Sequence, residues 1–163
     1  MEQLSIFQEE NKIKVCVFTG HRDLQSDFSK KKLKETIKSV IAKGVDTFLC
    51  GMAIGFDLIA AETVFSLKRK YPQIKLIACI PCAEQDKYFS RTDQKRYAAA
   101  VKKADERVLL SENYYRGCMQ ARDRYMAERG DVMITYCKKE EGGTAYTVKC
   151  FQRLHPNKEV IFL

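Results

Sequence analysis

Tryptophan is absent from this 163-residue sequence, which contains only three prolines and two histidines. No apolar run approaches the roughly 18–20 residues that a bilayer-spanning helix needs, so we expect no membrane segment. Residues 1–12 lack a basic stretch followed by an apolar one, and we therefore expect no secretory signal. These absences together predict a cytoplasmic protein with no membrane partner.

Two common nucleotide fingerprints are also missing, the dinucleotide-binding G-x-G-x-x-G and the P-loop G-x-x-x-x-G-K-[ST]. Gly51 and Gly55 are four residues apart, but no Lys-Ser or Lys-Thr pair follows them. This argues against a standard NAD-dependent dehydrogenase and against a P-loop NTPase. Since no other motif points to a cofactor, we expect none.

The seven cysteines are an odd number without an export signal, which favours a reducing compartment and no disulfide framework. Cys79 and Cys82 form a C-x-x-C pair. A thioredoxin-type pair opens a helix, whereas Cys79 falls within a predicted strand. Zinc would need two more ligands, and the sequence has neither a second C-x-x-C nor an H-x₃-H pair. We therefore expect neither a redox pair nor a metal site.

The charge balance is basic, with 29 Lys and Arg against 21 Asp and Glu, a net charge of +8. Such a balance favours anionic partners such as nucleotides or nucleic acid. Much of it comes from five lysines on one predicted helix, which we interpret as a solvated face rather than a nucleic-acid footprint. These lysines are Lys30, Lys31, Lys32, Lys34 and Lys38.

Short apolar runs alternate with segments of helical periodicity along the whole sequence. The predicted strands are 13–19, 45–50, 74–80, 106–111, 131–136 and 159–163, and the predicted helices are 28–43, 56–70, 93–104, 117–129 and 144–154. Strands separated by helices, without tandem hairpins, favour a parallel sheet. The fold class that we predict is α/β: a Rossmann-like, doubly wound, mainly parallel six-stranded sheet with helices on both faces, in one domain over residues 1–163.

Ligands of open α/β sheets bind outside the carboxyl ends of the strands. Four predicted loops at that edge carry polar residues or glycine: 20–23, 51–57, 112–117 and 140–144. In three of them a glycine stands next to a helix start, where backbone amides and the helix dipole favour an anion. One such turn is an ordinary tight connection, but three at one edge predict a phosphate or nucleotide pocket.

Several of these segments resemble known families. Residues 51–57, GMAIGFD, are similar to the G-x-A-x-G-I-D motif of the DprA DNA-processing proteins, and residues 20–22, GHR, lie where that group has a G-S-R-like turn. Residues 119–122, MQAR, resemble the M-x-x-R helix of the LOG-type phosphoribohydrolases. Residues 131–134 then lead, as in those enzymes, to a glycine-rich turn at 142–144.

Both groups belong to the SLOG superfamily of Rossmann-like nucleotide-binding domains. The GHR start and the compact size are most similar to its YpsA-like branch, and the resemblance spans about residues 13–155. It implies a sensor or regulator that binds a nucleotide or nucleotide-derived small molecule at the carboxyl edge. The ligand-binding residues that we predict are Gly20, His21, Arg22, Gly51, Met52, Ala53, Gly55, Asp57, Arg122, Gly142, Gly143 and Thr144.

The resemblance leaves open whether the ligand is cleaved. LOG enzymes carry P-G-G-x-G-T-x-x-E, whose glutamate is linked, with the M-x-x-R arginine, to cleavage of the glycosidic bond. Here the proline and one glycine are missing, and Thr147 stands in place of the glutamate, so it supplies no carboxylate. We therefore favour binding without hydrolysis. The alternatives are a phosphoribohydrolase that releases base from nucleoside monophosphates, and single-stranded DNA binding in the manner of DprA.

Each charged candidate also has a structural interpretation. Arg22 can bind phosphate or pair with the next aspartate, and His21 can contact a ligand or bridge two loops. Asp57 can contact ribose hydroxyls or hold loop amides. Arg122 shares a helix stripe with apolar residues and needs a partner, either the ligand or an internal carboxylate such as Glu112.

The tyrosine pair Tyr114-Tyr115 stands at a predicted loop tip. Such side chains are suited to stacking on a base or to an interface between two copies of the chain. Single-stranded nucleic acid and a homodimer are therefore further candidate partners beside the small molecule.

Overall fold

The structure, a computed structural model, describes residues 13–163. The expectation that residues 1–12 form no secretory signal lies outside these residues. The strands are β1 (Val15–Gly20), β2 (Thr47–Cys50), β3 (Lys75–Ile80), β4 (Glu106–Leu109), β5 (Val132–Tyr136) and β6 (Glu159–Phe162). The helices are α1 (Lys30–Ala42), α2 (Phe56–Leu67), α3 (Arg91–Lys103), α4 (Cys118–Arg129) and α5 (Gly143–Leu154).

The strands form one sheet in the order β4-β3-β2-β1-β5-β6, and every pairing between neighbours is parallel. This confirms the predicted Rossmann-like α/β class. The chain moves outward from β1 to β4 and then crosses to the other side of β1 for β5. The strand order therefore reverses between β1 and β5, and the loops that follow these two strands diverge at the carboxyl edge. Open α/β sheets bind their ligands at such a point.

Alternating side chains of the strands feed two separate apolar cores. Cys16 and Phe18 of β1 point into the larger core, which α1, α2 and α3 cover. Val17 points into the smaller core, which also contains Met126 of α4 and Phe151 of α5. Helices therefore lie on both faces, as predicted.

Helix α1 shows how the sequence specifies one of these elements. The Ser29 hydroxyl caps it by accepting a hydrogen bond from the Lys32 amide at 3.1 Å. The apolar positions recur at helical spacing and are buried: Leu33, Ile37, Val40 and Ile41. Four of the five clustered lysines are exposed and Lys38 is half-buried, so the cluster does form a solvated face.

Some element boundaries differ from prediction for local reasons. Helix α3 begins two residues early, because the Ser90 hydroxyl accepts a hydrogen bond from the Asp93 amide at 3.1 Å and caps it there. Strand β4 ends at Leu109 rather than at residue 111, at the outer edge of the sheet, where it pairs with β3 alone. None of the described helices has the length and apolarity needed to cross a membrane.

Candidate ligand-binding cleft

A cleft of about 300 Å³ opens where β1, β2 and β5 end. Its volume is at the lower end of the range for small-molecule sites. It is lined by nine predicted site residues: Gly20, His21, Arg22, Ala53, Asp57, Arg122, Gly142, Gly143 and Thr144. The other lining residues are Thr19, Asp23, Met119, Asp123, Lys139 and Glu141. The predicted loop 112–117 does not line it, because β4 lies at the far edge of the sheet.

Three predicted site residues, Gly51, Met52 and Gly55, support the cleft from behind. Gly55 has a φ of +79°, and a Cβ there would collide with the backbone carbonyl of Arg22, so only glycine allows this approach. Met52 is fully buried and also adopts a positive φ of 60°. Gly55 and the strained turn at Met52 therefore hold the loop after β2 against the loop after β1.

His21 links the two loops that flank the switch in strand order. Its Nε2 accepts a hydrogen bond from the Lys138 amide at 2.7 Å, which leaves the proton of the neutral ring on Nδ1. Partial burial lowers the pKa of His21, and the nearby positive charge of Lys139 lowers it further. The neutral ring therefore serves as a bridge between loops while also lining the cleft.

Asp57 lies in the first turn of α2 and is buried against the cleft. Its Oδ2 accepts a hydrogen bond from the Ala53 amide at 3.3 Å, so this carboxyl does hold a loop amide. Its Oδ1 is buried and has no hydrogen-bond partner within residues 13–163. Burial raises the pKa of Asp57 to about 7, against the opposing effect of Arg122.

Arg122 of α4 forms the floor of the cleft, with only 5% of its surface exposed. Its Nη1 donates to the Gly51 carbonyl at 2.6 Å, and its Nε donates to Asp123 Oδ1 at 2.7 Å. Burial alone would lower the pKa of Arg122, but the carboxyls of Asp123 and Asp57 raise it above its ordinary value. Its internal carboxylate partner is thus Asp123, its sequence neighbour, and not Glu112.

The remaining nitrogen of this guanidinium, Nη2, makes no hydrogen bond to any described residue. Although the residue is almost fully buried, Nη2 remains accessible to solvent. Arg122 therefore presents one free, charged donor from an otherwise buried side chain.

The opposite end of the cleft is the N-terminus of α5. Gly142 caps this helix without a side-chain hydrogen bond, and the first turn holds no acidic residue. A Cβ built on Gly142 or Gly143 would meet nothing within 4 Å, so a ligand can approach the backbone closely. The unpaired amides and the positive end of the helix dipole make this turn suited to an anion.

Thr147 is turned away from the cleft. Its hydroxyl donates to the Gly143 carbonyl at 2.9 Å within α5, and the residue is only 2% exposed. The position that carries a glutamate in LOG enzymes is therefore filled here by a buried, internally bonded side chain.

Two charged residues of the cleft, Asp123 and Lys139, lie outside both the loops and the site residues that were predicted from the sequence. Asp123 directly follows the M-x-x-R segment, and its spacing of four from Met119 places both on one face of α4, which was a usable signal. Lys139 lies in an irregular loop after β5, where no periodicity reveals which side chains face inward. The lysine cluster of α1, by contrast, contributes nothing to the cleft lining.

A doubly wound parallel sheet with a polar cleft at its switch in strand order defines a Rossmann-like α/β domain with a candidate ligand site. The sequence model of the YpsA family, described as the YspA SLOG family, matches residues 6–161 of this chain. The chain therefore belongs to this family. The predicted SLOG membership and YpsA-like branch are confirmed.

Similar sequences come from bacilli. A UPF0398 protein of Bacillus licheniformis is 29% identical over 129 residues, covering 77% of this chain and 70% of the relative. The UPF0398 protein YpsA of Bacillus subtilis is 24% identical over 147 residues, with 82% of each chain covered. The SPbeta prophage-derived protein YoqJ of the same species is 29% identical over 150 residues, covering 78% of this chain and 88% of YoqJ.

Two solved structures of DNA processing protein A share the fold. The Helicobacter pylori protein, studied for its single-stranded DNA binding mode, has a TM-score of 0.68 and 19% identity over 96% of this chain and 67% of its own. The Streptococcus pneumoniae protein has a TM-score of 0.67 and 17% identity over 93% of this chain. This chain spans only half of the latter, so the comparison speaks to the shared fold alone.

Proposed function

We propose that the cleft binds a nucleotide or nucleotide-derived ligand, and that the protein acts as a sensor or regulator rather than as a hydrolase. The observation that carries this proposal is the pairing, in one cleft, of a buried arginine with a free Nη2 and an uncapped helix N-terminus. Membership of the SLOG family supports the same ligand class.

The phosphate of such a ligand belongs at the start of α5. The backbone amides of this turn are free donors and the first turn itself holds no acidic side chain. Lys139 and the Thr144 side chain line the same end of the cleft, as does Glu141. The Asp123 carboxylate beside Arg122 would repel a phosphate at the other end, and Asp57 would add to this repulsion at a pH above its pKa of about 7. The charge pattern therefore favours one orientation, with the phosphate at Gly142, Gly143 and Thr144.

The test is calorimetric titration of the unmodified protein and of a Gly143→Asp variant with the four ribonucleoside monophosphates. An aspartate is tolerated in the first turn of a helix, where it favours the dipole, and the position has open space. It would, however, face the ligand phosphate. Two like charges about 4 Å apart interact by roughly 4 kcal/mol near a protein surface, so we expect affinity to fall at least about tenfold.

The matched control is Thr92→Asp, which adds the same charge to the exposed first turn of α3, outside the cleft. It should leave the affinity within about twofold of the unmodified protein, since salt screens a solvent-exposed charge that lies outside the cleft. Equal binding by the Gly143→Asp variant would remove α5 from the phosphate site. Absence of binding by all four nucleotides would contradict the proposal for this ligand class.

A specific surface supports single-stranded DNA binding as the second candidate. Tyr88 is 90% exposed on the loop after β3, and Tyr114 and Tyr115 are exposed on the loop after β4. The Ala83 amide donates to the Glu112 carbonyl at 3.3 Å and joins the two loops. Exposed aromatic rings beside basic residues are typical of surfaces on which unpaired bases stack.

This candidate is tested by fluorescence anisotropy of a labelled oligothymidylate at several salt concentrations. Phosphate contacts predict a negative slope of log affinity against log salt, about 0.7 per contact. Tyr88→Ala and Tyr114→Ala should each weaken binding by about 1–3 kcal/mol per lost stack. Phe162→Ala, an exposed aromatic on β6, is the control. Equal binding by all three variants would exclude this surface.

A further inference from the structure

The ion pair between Arg122 and Asp123 leaves one donor and one acceptor free at its end of the cleft. Asp123 accepts from Arg122 Nε through Oδ1, and within the described residues its Oδ2 has no hydrogen-bond partner. The side chain of Asp123 remains 19% exposed and lines the cleft. Arg122 Nη2, on the same edge of the guanidinium as Nε, is the free donor. The ion pair holds both groups in fixed positions before any ligand arrives.

The chemistry of this pair excludes charged ligand groups. A phosphate would meet the carboxylate of Asp123, and an ammonium group would meet the Arg122 guanidinium. A hydroxyl satisfies both partners, because it donates to Oδ2 and accepts from Nη2 at the same time. Two neighbouring hydroxyls could bind Asp123 Oδ2 and Arg122 Nη2 together, since each hydroxyl can both donate and accept a hydrogen bond.

The position of the pair agrees with the place of a sugar in a nucleotide. Arg122 is tied to the end of β2, whereas α5 follows β5, and β1 lies between these strands. Two strand spacings amount to about 10 Å, a span comparable to the length of one nucleotide. Met119, one turn nearer the start of α4, lines the same cleft and offers an apolar contact for a base.

We propose that Asp123 Oδ2 and Arg122 Nη2 recognise the 2′- and 3′-hydroxyls of the ligand's ribose, which makes the cleft selective for ribonucleotides over deoxyribonucleotides. The inference rests on the proposed function, since it assumes a nucleotide whose phosphate lies at α5. It names Asp123 as the specificity-determining residue.

The test compares AMP, GMP, CMP and UMP with their 2′-deoxy and 3′-deoxy counterparts by calorimetry, using the unmodified protein. A lost hydrogen bond to a charged group weakens binding by about tenfold or more. We therefore expect each ribonucleotide to bind at least about tenfold more tightly than its 2′-deoxy or 3′-deoxy counterpart. In Asp123→Asn this ratio of ribonucleotide to deoxynucleotide affinity should fall to about twofold, because affinity for the ribonucleotide falls while affinity for the deoxy form stays the same. Glu128→Gln, which removes an exposed carboxylate from the same helix, should keep the full ratio.

The outcomes separate this inference from the proposed function. Equal affinity for ribo and deoxy forms overturns the sugar assignment and leaves nucleotide binding in place. A preference among bases without a preference among sugars would assign the pair to a base edge, and it also overturns the inference. Binding of no nucleotide overturns both. The comparison of ligands needs no variant, so it stays decisive even if Asp123→Asn fails to fold.

Discussion

Arg122 donates a hydrogen bond of 2.6 Å from Nη1 to the backbone carbonyl of Gly51, a residue 71 positions earlier in the chain. The bond ties α4 to the end of β2, and Gln85 donates to the same carbonyl at 3.0 Å. Because the guanidinium is buried, losing this contact would leave polar groups unpaired in the interior. The geometry of the cleft floor therefore depends on the contact between these two residues.

Replacing Gly51 with alanine tests this dependence. The added Cβ would lie 2.6 Å from Arg122 Nη1, too close for the guanidinium to keep its position. Overpacking of a buried site costs about 1–3 kcal/mol, which urea denaturation can measure. Gly143→Ala is the matched control: its Cβ meets open space, so we expect unchanged stability or a gain of up to about 1 kcal/mol. Equal stability of the two variants would show that Arg122 can shift at no cost, and would contradict this dependence.

Arg22→Ala should weaken ligand binding without affecting the fold. The residue is exposed at the edge of the cleft, so its removal leaves no cavity. A lost charge-assisted contact costs about 1.5–3 kcal/mol, or roughly tenfold or more in affinity. Calorimetry with a bound nucleotide gives the affinity, and a thermal melt checks stability. Arg153→Ala, exposed and outside the cleft, controls for the loss of net charge; if both variants bind alike, Arg22 is not part of the site.

Asp57 predicts a pH dependence of stability. In the unfolded chain it ionises near its ordinary pKa of 3.8, whereas in the folded protein its pKa is about 7. Between these values the folded state binds the extra proton, so this residue makes the free energy of unfolding fall as pH rises from about 4 to 7. Asp57→Asn removes this contribution. The stability of the variant relative to the unmodified protein should therefore increase across that window and then level off, as urea denaturation at several pH values would show. If the free energies of unfolding of the two proteins changed in parallel with pH, the raised pKa of Asp57 would be contradicted.

We predict negligible release of base from nucleoside monophosphates. Thr147 is buried and its hydroxyl bonds to Gly143, so no carboxylate occupies the position used in LOG enzymes. Thr147→Glu should destabilise the fold by burying an unpaired charge and should not create activity. Multi-turnover assays of free base give the answer. Release near 1 s⁻¹ or faster, within the usual enzymatic range of about 1–10³ s⁻¹, would show that another carboxylate acts, with Glu141 in the cleft as the first candidate.

The architecture was predictable because its signals are local. Apolar runs such as that of β1, the buried stripe of α1 and the glycines at helix starts are each visible in a few neighbouring residues. The parallel sheet predicted from these runs placed loops distant in sequence at one carboxyl edge, and the resemblance to SLOG proteins then indicated which of their residues form a site. Sequence reasoning therefore found most of the cleft, including Asp57 and Arg122.

The rest depends on which strands become neighbours. The loop 112–117 looked equivalent to the others, but the position of β4 at the far edge removes it from the cleft. The sequence does not show that Arg122 would pair with Asp123 instead of Glu112, since that choice is made by the side-chain geometry of α4. The bridge from Lys138 to His21 spans 117 residues and likewise has no local signal.

Mass spectrometry of the small molecules released from the purified, denatured protein tests nucleotide binding most directly. The account predicts a phosphate-bearing nucleotide or nucleotide derivative that co-purifies with the unmodified protein and with Thr92→Asp, and that is lost from Gly143→Asp. A phosphate-free ligand, or a nucleotide retained equally by all three proteins, would contradict the assignment of this cleft.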